Sequence, residues 1–418
     1  MLLFYRLSLF LYALAVRVAA WFKPKARLFL AGRKDLLFTI KARMGDETRP
    51  RIWMHCASLG EFEQGRPVLE SLRRQYSGYA IVLTFFSPSG YQVRKKYEGA
   101  DYIFYLPMDS ASNAKQFVRD INPSLALFVK YDLWYYYLYE LNKRSIPTLL
   151  IDAIFRPQQG YFRWYGSVQR QMLKMITHIF TQNEASVSLL ERIHIRQASV
   201  AGDTRFDRVL TVAQAAAPIE KFEALSQRFK LLIAGSTWAA DEQLLATVLP
   251  VLPPDWKLII VPHEVDEERI SYVEKLFAGR IRRWSALQEG TFLNQQVMVV
   301  DTIGLLLKIY RYGSLAWIGG GLEKGGVHNV LEAAVYGLPC AHGPVYEKYQ
   351  EAIELVACGA TTICSDAATL QDFIGTMIAD KAQYEHKSAA ARNYVFSQSG
   401  ATEIILDYLA AKNWLKTL

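Results

Sequence analysis

Cysteine is scarce in this chain and poorly spaced for metal work. The four cysteines, Cys56, Cys340, Cys358 and Cys364, form no C-x-x-C pair, which excludes a zinc ribbon or dithiol redox site and argues against a disulfide framework. They read as small core residues in a reducing compartment. A D-x-D pair is also lacking, so a divalent metal bridging a diphosphate has no obvious ligands and none is expected. No zinc-finger spacing, aromatic RNA-binding signature or long Lys/Arg run occurs, which sets nucleic acid aside as a partner. No internal repeat or low-complexity segment is present, so a solenoid or a disordered tail is not the theme.

What is present is a chain of 418 residues, 51% apolar and 21% charged, long enough for two domains with full cores. Its formal net charge of +8 suits an anionic partner: acidic small molecules or an anionic membrane surface. Leu2 to Phe22 is nearly all apolar or aromatic, interrupted by Arg6 and Arg17 and followed by Lys23, Lys25 and Arg27. A cleavable signal would want a small-residue cleavage site, and a comfortable bilayer span would not carry Arg17 near its centre. The segment is therefore expected to lie in the cytoplasmic leaflet with its cations at the headgroups, the alternative being a buried docking helix.

From Arg51 onward, short apolar runs alternate with amphipathic stretches. Residues 51–55, 80–85, 102–106, 125–129, 148–151, 178–181 and 199–201 read as strands, and the rhythm restarts at 230–234, 257–261, 297–300, 315–318 and 361–363. Helical patterns between them predict an α/β protein of two Rossmann-like, doubly wound domains with a ligand cleft between them. The expected boundaries are an anchoring helix over 1–28, a first Rossmann-like domain over 29–207, a linker over 208–228, a second Rossmann-like domain over 229–395, and a C-terminal helix over 396–418 that crosses back to the first domain.

The most informative stretch is Trp317 to Ala333. An apolar strand runs into Gly319, Gly320 and Gly321, expected to leave backbone N–H groups open, and a second glycine pair opens a helix expected to start near Val327. Asn329 and Glu332, three apart, share a face of that helix, where Glu332 can accept hydrogen bonds from a ribose diol while the helix end holds a phosphate. A tight turn with an N-terminal cap is the plainer alternative.

Other strand ends carry further chemistry. Ser58-Leu59-Gly60-Glu61 puts an acid on the first turn of a helix, either as a general base or as a favourable charge at the helix end. Ser87 and Ser89 suit sugar hydroxyls or simple capping. Lys130 and Asp132 either meet an anion and orient an acceptor or pair internally; Arg156 and Arg205 either clamp a carboxylate or phosphate or form surface ion pairs. In the second half, Ser236 and Thr237 either bind phosphate or cap a helix, and Pro262-His263 ends the next strand.

In their order these motifs resemble the bacterial transferases of 3-deoxy-D-manno-octulosonic acid (Kdo), over nearly the whole chain. The resemblance implies a GT-B glycosyltransferase that moves Kdo from CMP-Kdo to a lipid A precursor on the cytoplasmic side of the inner membrane, inverts the anomeric centre and needs no metal. It implies Glu61 as general base, acceptor or sugar contacts among Ser58, Gly60, Ser87, Ser89, Lys130, Asp132, Arg156 and Arg205, and a CMP site built from Ser236, Thr237, Pro262, His263, Gly319, Gly320, Gly321, His328, Asn329 and Glu332. The chain departs from the family pattern at Lys130, where an acid is usual, at Tyr135-Tyr136 in place of Pro-Asn, at Arg205 in place of lysine, and at His263 directly after Pro262. A UDP-sugar 2-epimerase of the same fold and a catalytically silent, membrane-bound nucleotide-binding protein are the alternatives.

Overall fold

The computed structural model describes residues 2–287 and 295–416; residues 417–418 of the expected C-terminal segment lie outside the described residues. The chain divides into two compact units, Met1–Arg208 with Ser399–Leu418, and Val209–Gln398.

The first unit holds a sheet of seven parallel strands among the described residues: β1 (Arg51–Cys56), β2 (Ala80–Phe85), β3 (Tyr102–Tyr105), β4 (Pro123–Val129), β5 (Thr148–Ala153), β6 (His178–Thr181) and β7 (Ala198–Val200), in the order β3-β2-β1-β4-β5-β6-β7. Its inner strands are apolar almost throughout because helices cover both faces. One face buries Trp53, Phe117, Phe128, Tyr137 and Leu150; the other buries Ile52, Met54, Leu69, Leu127 and Leu149. The alternation along β1 puts Trp53 and His55 on one face and Met54 and Cys56 on the other.

The second unit repeats the design with β8 (Lys230–Thr237), β9 (Trp256–Pro262), β10 (Ile281–Arg283), β11 (Val297–Val299), β12 (Leu315–Ile318), β13 (Cys340–His342) and β14 (Thr361–Ile363), in the order β10-β11-β9-β8-β12-β13-β14. β10 and β13 were not anticipated. Neither Ile281-Arg282-Arg283 nor Cys340-Ala341-His342 makes an apolar run that marks a strand.

The stretch expected as a linker, 208–228, is mostly helical: Thr204–Ala215 and Glu220–Arg228, with Phe222 and Leu225 buried. Alanine-rich composition favours helix as readily as it signals a spacer. The last helix, Ala401–Lys412, packs in the first unit. Ile405 and Leu409 join the cluster of Leu69 and Leu72, Tyr408 stacks on His178 with ring centroids 4.4 Å apart, and the Asp207 carboxylate accepts from the Gly400 and Thr402 amides at 2.7 and 2.6 Å.

At the other end, Leu2–Ala19 is a helix with no buried residue and a mean hydropathy of 1.7, long and apolar enough to cross a membrane by length and composition. Half-buried positions recur at Leu2, Tyr5, Leu9, Ala13, Val16 and Ala19, a stripe facing the first unit, while Leu3, Phe4, Leu7, Phe10 and Leu11 stay exposed. The helices Pro24–Ala31 and Leu36–Met44 follow, and Leu36, Ile40 and Met44 enter the core.

Candidate functional site

In each sheet the chain winds outward from a central strand, then returns to that strand's other side. The connections after the two strands at this reversal part in opposite directions and leave a crevice at their carboxyl ends. In the first sheet the reversal lies between β1 and β4; in the second, between β8 and β12. Sequence motifs follow all four of these strands, and others follow β2, β5, β7 and β9.

After β1, Ser58 is the N-cap of the helix Leu59–Gln75, and Glu61 lies on its first turn. The Ser-x-x-Glu spacing is that of a capping box, yet the Ser58 side chain makes no cap bond; its hydroxyl donates to Glu61 Oε2. The serine thus orients the carboxylate. Gly60 is exposed, and its position has no close neighbour beyond Ser58 Oγ at 3.8 Å. The adjoining loop after β2 is tied in by the Ser87 amide, which donates to Ala57 O at 2.8 Å, and Ser87 and Ser89 share a hydroxyl–hydroxyl bond of 2.7 Å.

After β4, Asp132 does not pair with Lys130. Its Oδ2 meets Nε2 of the fully buried His55 at 2.8 Å and accepts from Trp134 Nε1 at 3.2 Å. His55 Nδ1 in turn contacts Thr84 Oγ1 at 2.9 Å, which also accepts from Trp53 Nε1 at 2.8 Å. A chain of buried polar groups running across β1 and β2 therefore holds Asp132 at the β4 end. Sequence reasoning gave His55 and Thr84 no role; the alternation along β1 points to His55, and the pairing of β1 with β2 sets Thr84 opposite it.

Lys130 and Asp152 end neighbouring strands and both adopt left-handed backbone, φ 62° and 58°, a strained choice for non-glycine residues. Asp152 is buried; its Oδ1 accepts from the Thr204 amide at 3.1 Å and the Thr204 hydroxyl at 3.3 Å. Burial, then the charge of Asp203, pushes its carboxyl up, and Arg205 and Lys130 pull it back down. Arg205 is held by Asp203 through Nη2 to Oδ2 at 2.6 Å and Nε to Oδ2 at 2.9 Å. It is thus paired within the protein rather than presented alone to a ligand. Arg156 is exposed, with its amide donating to Gln159 Oε1 at 3.0 Å.

In the second unit, β8 bends at Ser236, another left-handed residue with φ 54°. The Thr237 hydroxyl donates to Glu242 Oε1 at 2.8 Å, and Arg269 Nη2 donates to Glu242 Oε2 at 2.5 Å. Burial, followed by the neighbouring Asp241, drives the Glu242 carboxyl up to about 7 against the pull of Thr237 and Arg269. Thr237 therefore serves the fold before any phosphate. Trp238, His263 and His328 stack: the two imidazoles lie 4.3 Å apart at 16°, and Trp238 Nε1 donates to His328 Nε2 at 2.8 Å. Burial, then His263, holds the His328 imidazolium down to about 4, so His328 is a neutral acceptor at pH 7. Trp238 was not among the expected site residues. Pro262 pairs in register with Thr237, and the His263 amide donates to Thr237 O at 3.0 Å.

The glycine stretch after β12 corrects two expectations. The helix begins at Leu331, not near Val327, and runs only to Ala334. The amides of Gly319 and Gly320 are not open: they donate to Gly235 O and to Asp241 Oδ2, both at 2.9 Å. Buried Asp241 also accepts from Trp317 Nε1 at 3.1 Å, locking the glycine loop to the helix after β8. A Cβ on Gly319 would lie 2.3 Å from Ser236 O, and one on Gly321 2.7 Å from Gly343 N, so these glycines admit backbone against backbone. Asn329 and Glu332 do meet, Nδ2 donating to Oε1 at 3.1 Å, while Asn329 Oδ1 accepts from the Leu331 amide at 3.2 Å. Among the described residues no group of three or more His, Cys, Asp or Glu side chains is arranged to hold a metal ion.

Residues 35–208 match the family model of 3-deoxy-D-manno-octulosonic-acid transferase (kdotransferase). The 3-deoxy-D-manno-octulosonic acid transferase of Haemophilus influenzae is 24% identical over 374 residues, 86% of each chain, and that of Aquifex aeolicus is 24% identical over 312 residues, 73% of this chain and 79% of its own. In fold the chain is similar to UDP-GlcNAc 2-epimerase from Neisseria meningitidis, with a TM-score of 0.60 and 15% identity, covering 86% of this chain and all of that one. A further UDP-N-acetylglucosamine 2-epimerase gives a TM-score of 0.61 at 14% identity, covering 88% and 98%. These two likenesses concern the α/β architecture of the GT-B type and not the reaction. By sequence, this chain is similar to 3-deoxy-D-manno-octulosonic acid transferases over most of its length.

Proposed function

We propose that the protein transfers Kdo from CMP-Kdo to a hydroxyl of a lipid A precursor, lipid IVA, with inversion at the anomeric carbon and no metal. The observation that carries this reading is Glu61, on a helix's first turn at the reversal point of the first sheet, oriented by Ser58 and neighboured by the Ser87 loop. The acceptor hydroxyl gives its proton to the Glu61 carboxylate as its oxygen bonds to the anomeric carbon. The bond from that carbon to the donor phosphate breaks, and CMP leaves with the electron pair. Positive character at the ring carbon and negative charge on the departing phosphate need fixed partners.

On the donor side Ser236, Pro262, His263, Gly321, His328, Asn329 and Glu332 are proposed as contacts, with Gly319, Gly320 and Thr237 shaping the loop from behind. Glu332 accepts from the ribose diol, and neutral His328 offers no charge to compete with it. Asp132, braced by His55, orients the acceptor. Lys130 and Arg156 supply positive charge for the sugar carboxylate or the acceptor phosphates, and Arg205 supports them through Asp203. The apolar helix Leu2–Ala19 is proposed to lie on the cytoplasmic face of the inner membrane, so that the search for a lipid acceptor runs along a surface.

The test is incubation of the purified protein with CMP-Kdo and a tetraacylated precursor, with the lipid product weighed by mass spectrometry. Glu61→Ala is expected to leave CMP affinity within a few-fold and to lower transfer by about 10²–10⁴; transfer at the wild-type rate would remove Glu61 from its role. EDTA is expected to leave the rate unchanged. Turnover of a UDP-sugar without acceptor would favour an epimerase instead.

A further inference from the structure

The helix Leu2–Ala19 does not close down on the unit it faces. Between its face at Arg6, Leu9, Phe10 and Ala13 and the segment Met108–Ser112 lies an open groove of about 540 Å³. That is within the range of roughly 300–1,000 Å³ common to small-molecule clefts. The groove is held at this width by polar bonds. The Tyr5 hydroxyl donates to Asp109 Oδ2 at 2.6 Å, the Tyr136 amide donates to the same oxygen at 3.2 Å, and the Tyr135 amide donates to the Tyr5 hydroxyl at 3.2 Å. Arg6 Nε donates to the Tyr136 hydroxyl.

The helix that walls the groove also reaches the candidate acceptor loops. Tyr12 packs on Phe86, centroids 6.1 Å apart, and Phe86 on Trp134 at 4.5 Å; Phe86 precedes Ser87, and Trp134 donates to Asp132. The next helices carry a second cavity of about 280 Å³ that shares Met108.

Resting on the reading of the acceptor as a lipid, we infer that this groove seats an acyl chain of the acceptor, making the N-terminal helix one wall of the acceptor site as well as an anchor. Three observations favour a lipid chain over a peptide or a second copy. The walls are mainly apolar, with Leu9, Phe10, Ala13, Met108 and Ala111 among them. The chain from Leu2 to Lys34 carries Arg6, Arg17, Lys23, Lys25, Arg27, Arg33 and Lys34 but no Asp or Glu, which suits anionic headgroups beside an apolar slot. The size also fits: an apolar cavity of about 150 Å³ takes one benzene, so by proportion this groove has room for on the order of ten to twenty chain carbons.

Ala13→Phe and Ala111→Phe fill the groove from opposite walls. Each is expected to raise KM for the tetraacylated precursor at least tenfold, to leave transfer to a short-chain analogue within twofold, and to leave binding to phosphatidylglycerol vesicles unchanged. Leu9→Ala, which widens the slot, is expected to shift preference toward longer chains and guards against misfolding of the filled variants. Equal effects on both acceptors would overturn the inference. So would loss of vesicle binding in step with activity, or a wild-type dimer that Ala13→Phe dissociates. If the wild-type protein transfers Kdo to neither acceptor, the parent reading fails instead.

Discussion

Gly319 and Gly321 owe their identity to the backbone they touch. Alanine at Gly319 sets a methyl group 2.3 Å from Ser236 O, with Asp241 holding the loop from the other side, so neither partner gives way easily. Gly319→Ala is expected to cost about 1–3 kcal/mol in urea unfolding and to weaken CMP binding measured by calorimetry. Glu242 makes a pH prediction. Its carboxyl, raised to about 7, binds a proton more tightly folded than unfolded, so its contribution favours the fold at low pH and is lost as pH rises from about 4.5 through 7. Glu242→Gln is expected to shrink the drop in unfolding free energy between about pH 5 and pH 8 by on the order of 2 kcal/mol; an unchanged drop would disprove the assignment. At this scale the place of Glu61 on a helix's first turn and the contact of Asn329 with Glu332 were legible because both are local. The His55–Asp132 contact was not, because its partners are 77 residues apart and meet only once β1 and β4 lie side by side.

Among the elements, the final helix offers a measurement independent of catalysis. Leu409 is fully buried against the first sheet's helices, and Leu409→Ala is expected to lower stability by about 2–5 kcal/mol, read by chemical denaturation. Most strands were visible in sequence because apolar runs of four to eight residues at helix-spaced intervals leave little else for the chain to do. β10 and β13 were not, since Ile281-Arg282-Arg283 carries two arginines and Cys340-Ala341-His342 holds no β-branched residue, so neither makes an apolar run. The glycine stretch misled in a specific way. Glycines suggested a ligand-facing helix start, but Gly320 and Gly326, with φ of 88°, prolong the turn and delay the helix to Leu331. Deleting residues 2–22 is expected to abolish co-sedimentation with vesicles while leaving CMP affinity intact. Retained co-sedimentation would place the membrane contact elsewhere.

For the molecule as a whole, a net charge of +8 predicts that vesicle binding depends on anionic lipid and falls severalfold between about 0.1 M and 0.5 M salt. Binding that is indifferent to salt would leave the apolar helix alone responsible. The two-sheet plan was readable from the restart of the strand rhythm near Lys230, and both reversal points then follow from strand order. The return of Ser399–Leu418 to the first unit has a consequence for biosynthesis. On the ribosome, the leading unit emerges without Ile405 and Leu409 and keeps an uncovered apolar trough until the trailing unit has been translated, a window in which chaperone capture competes with misassembly.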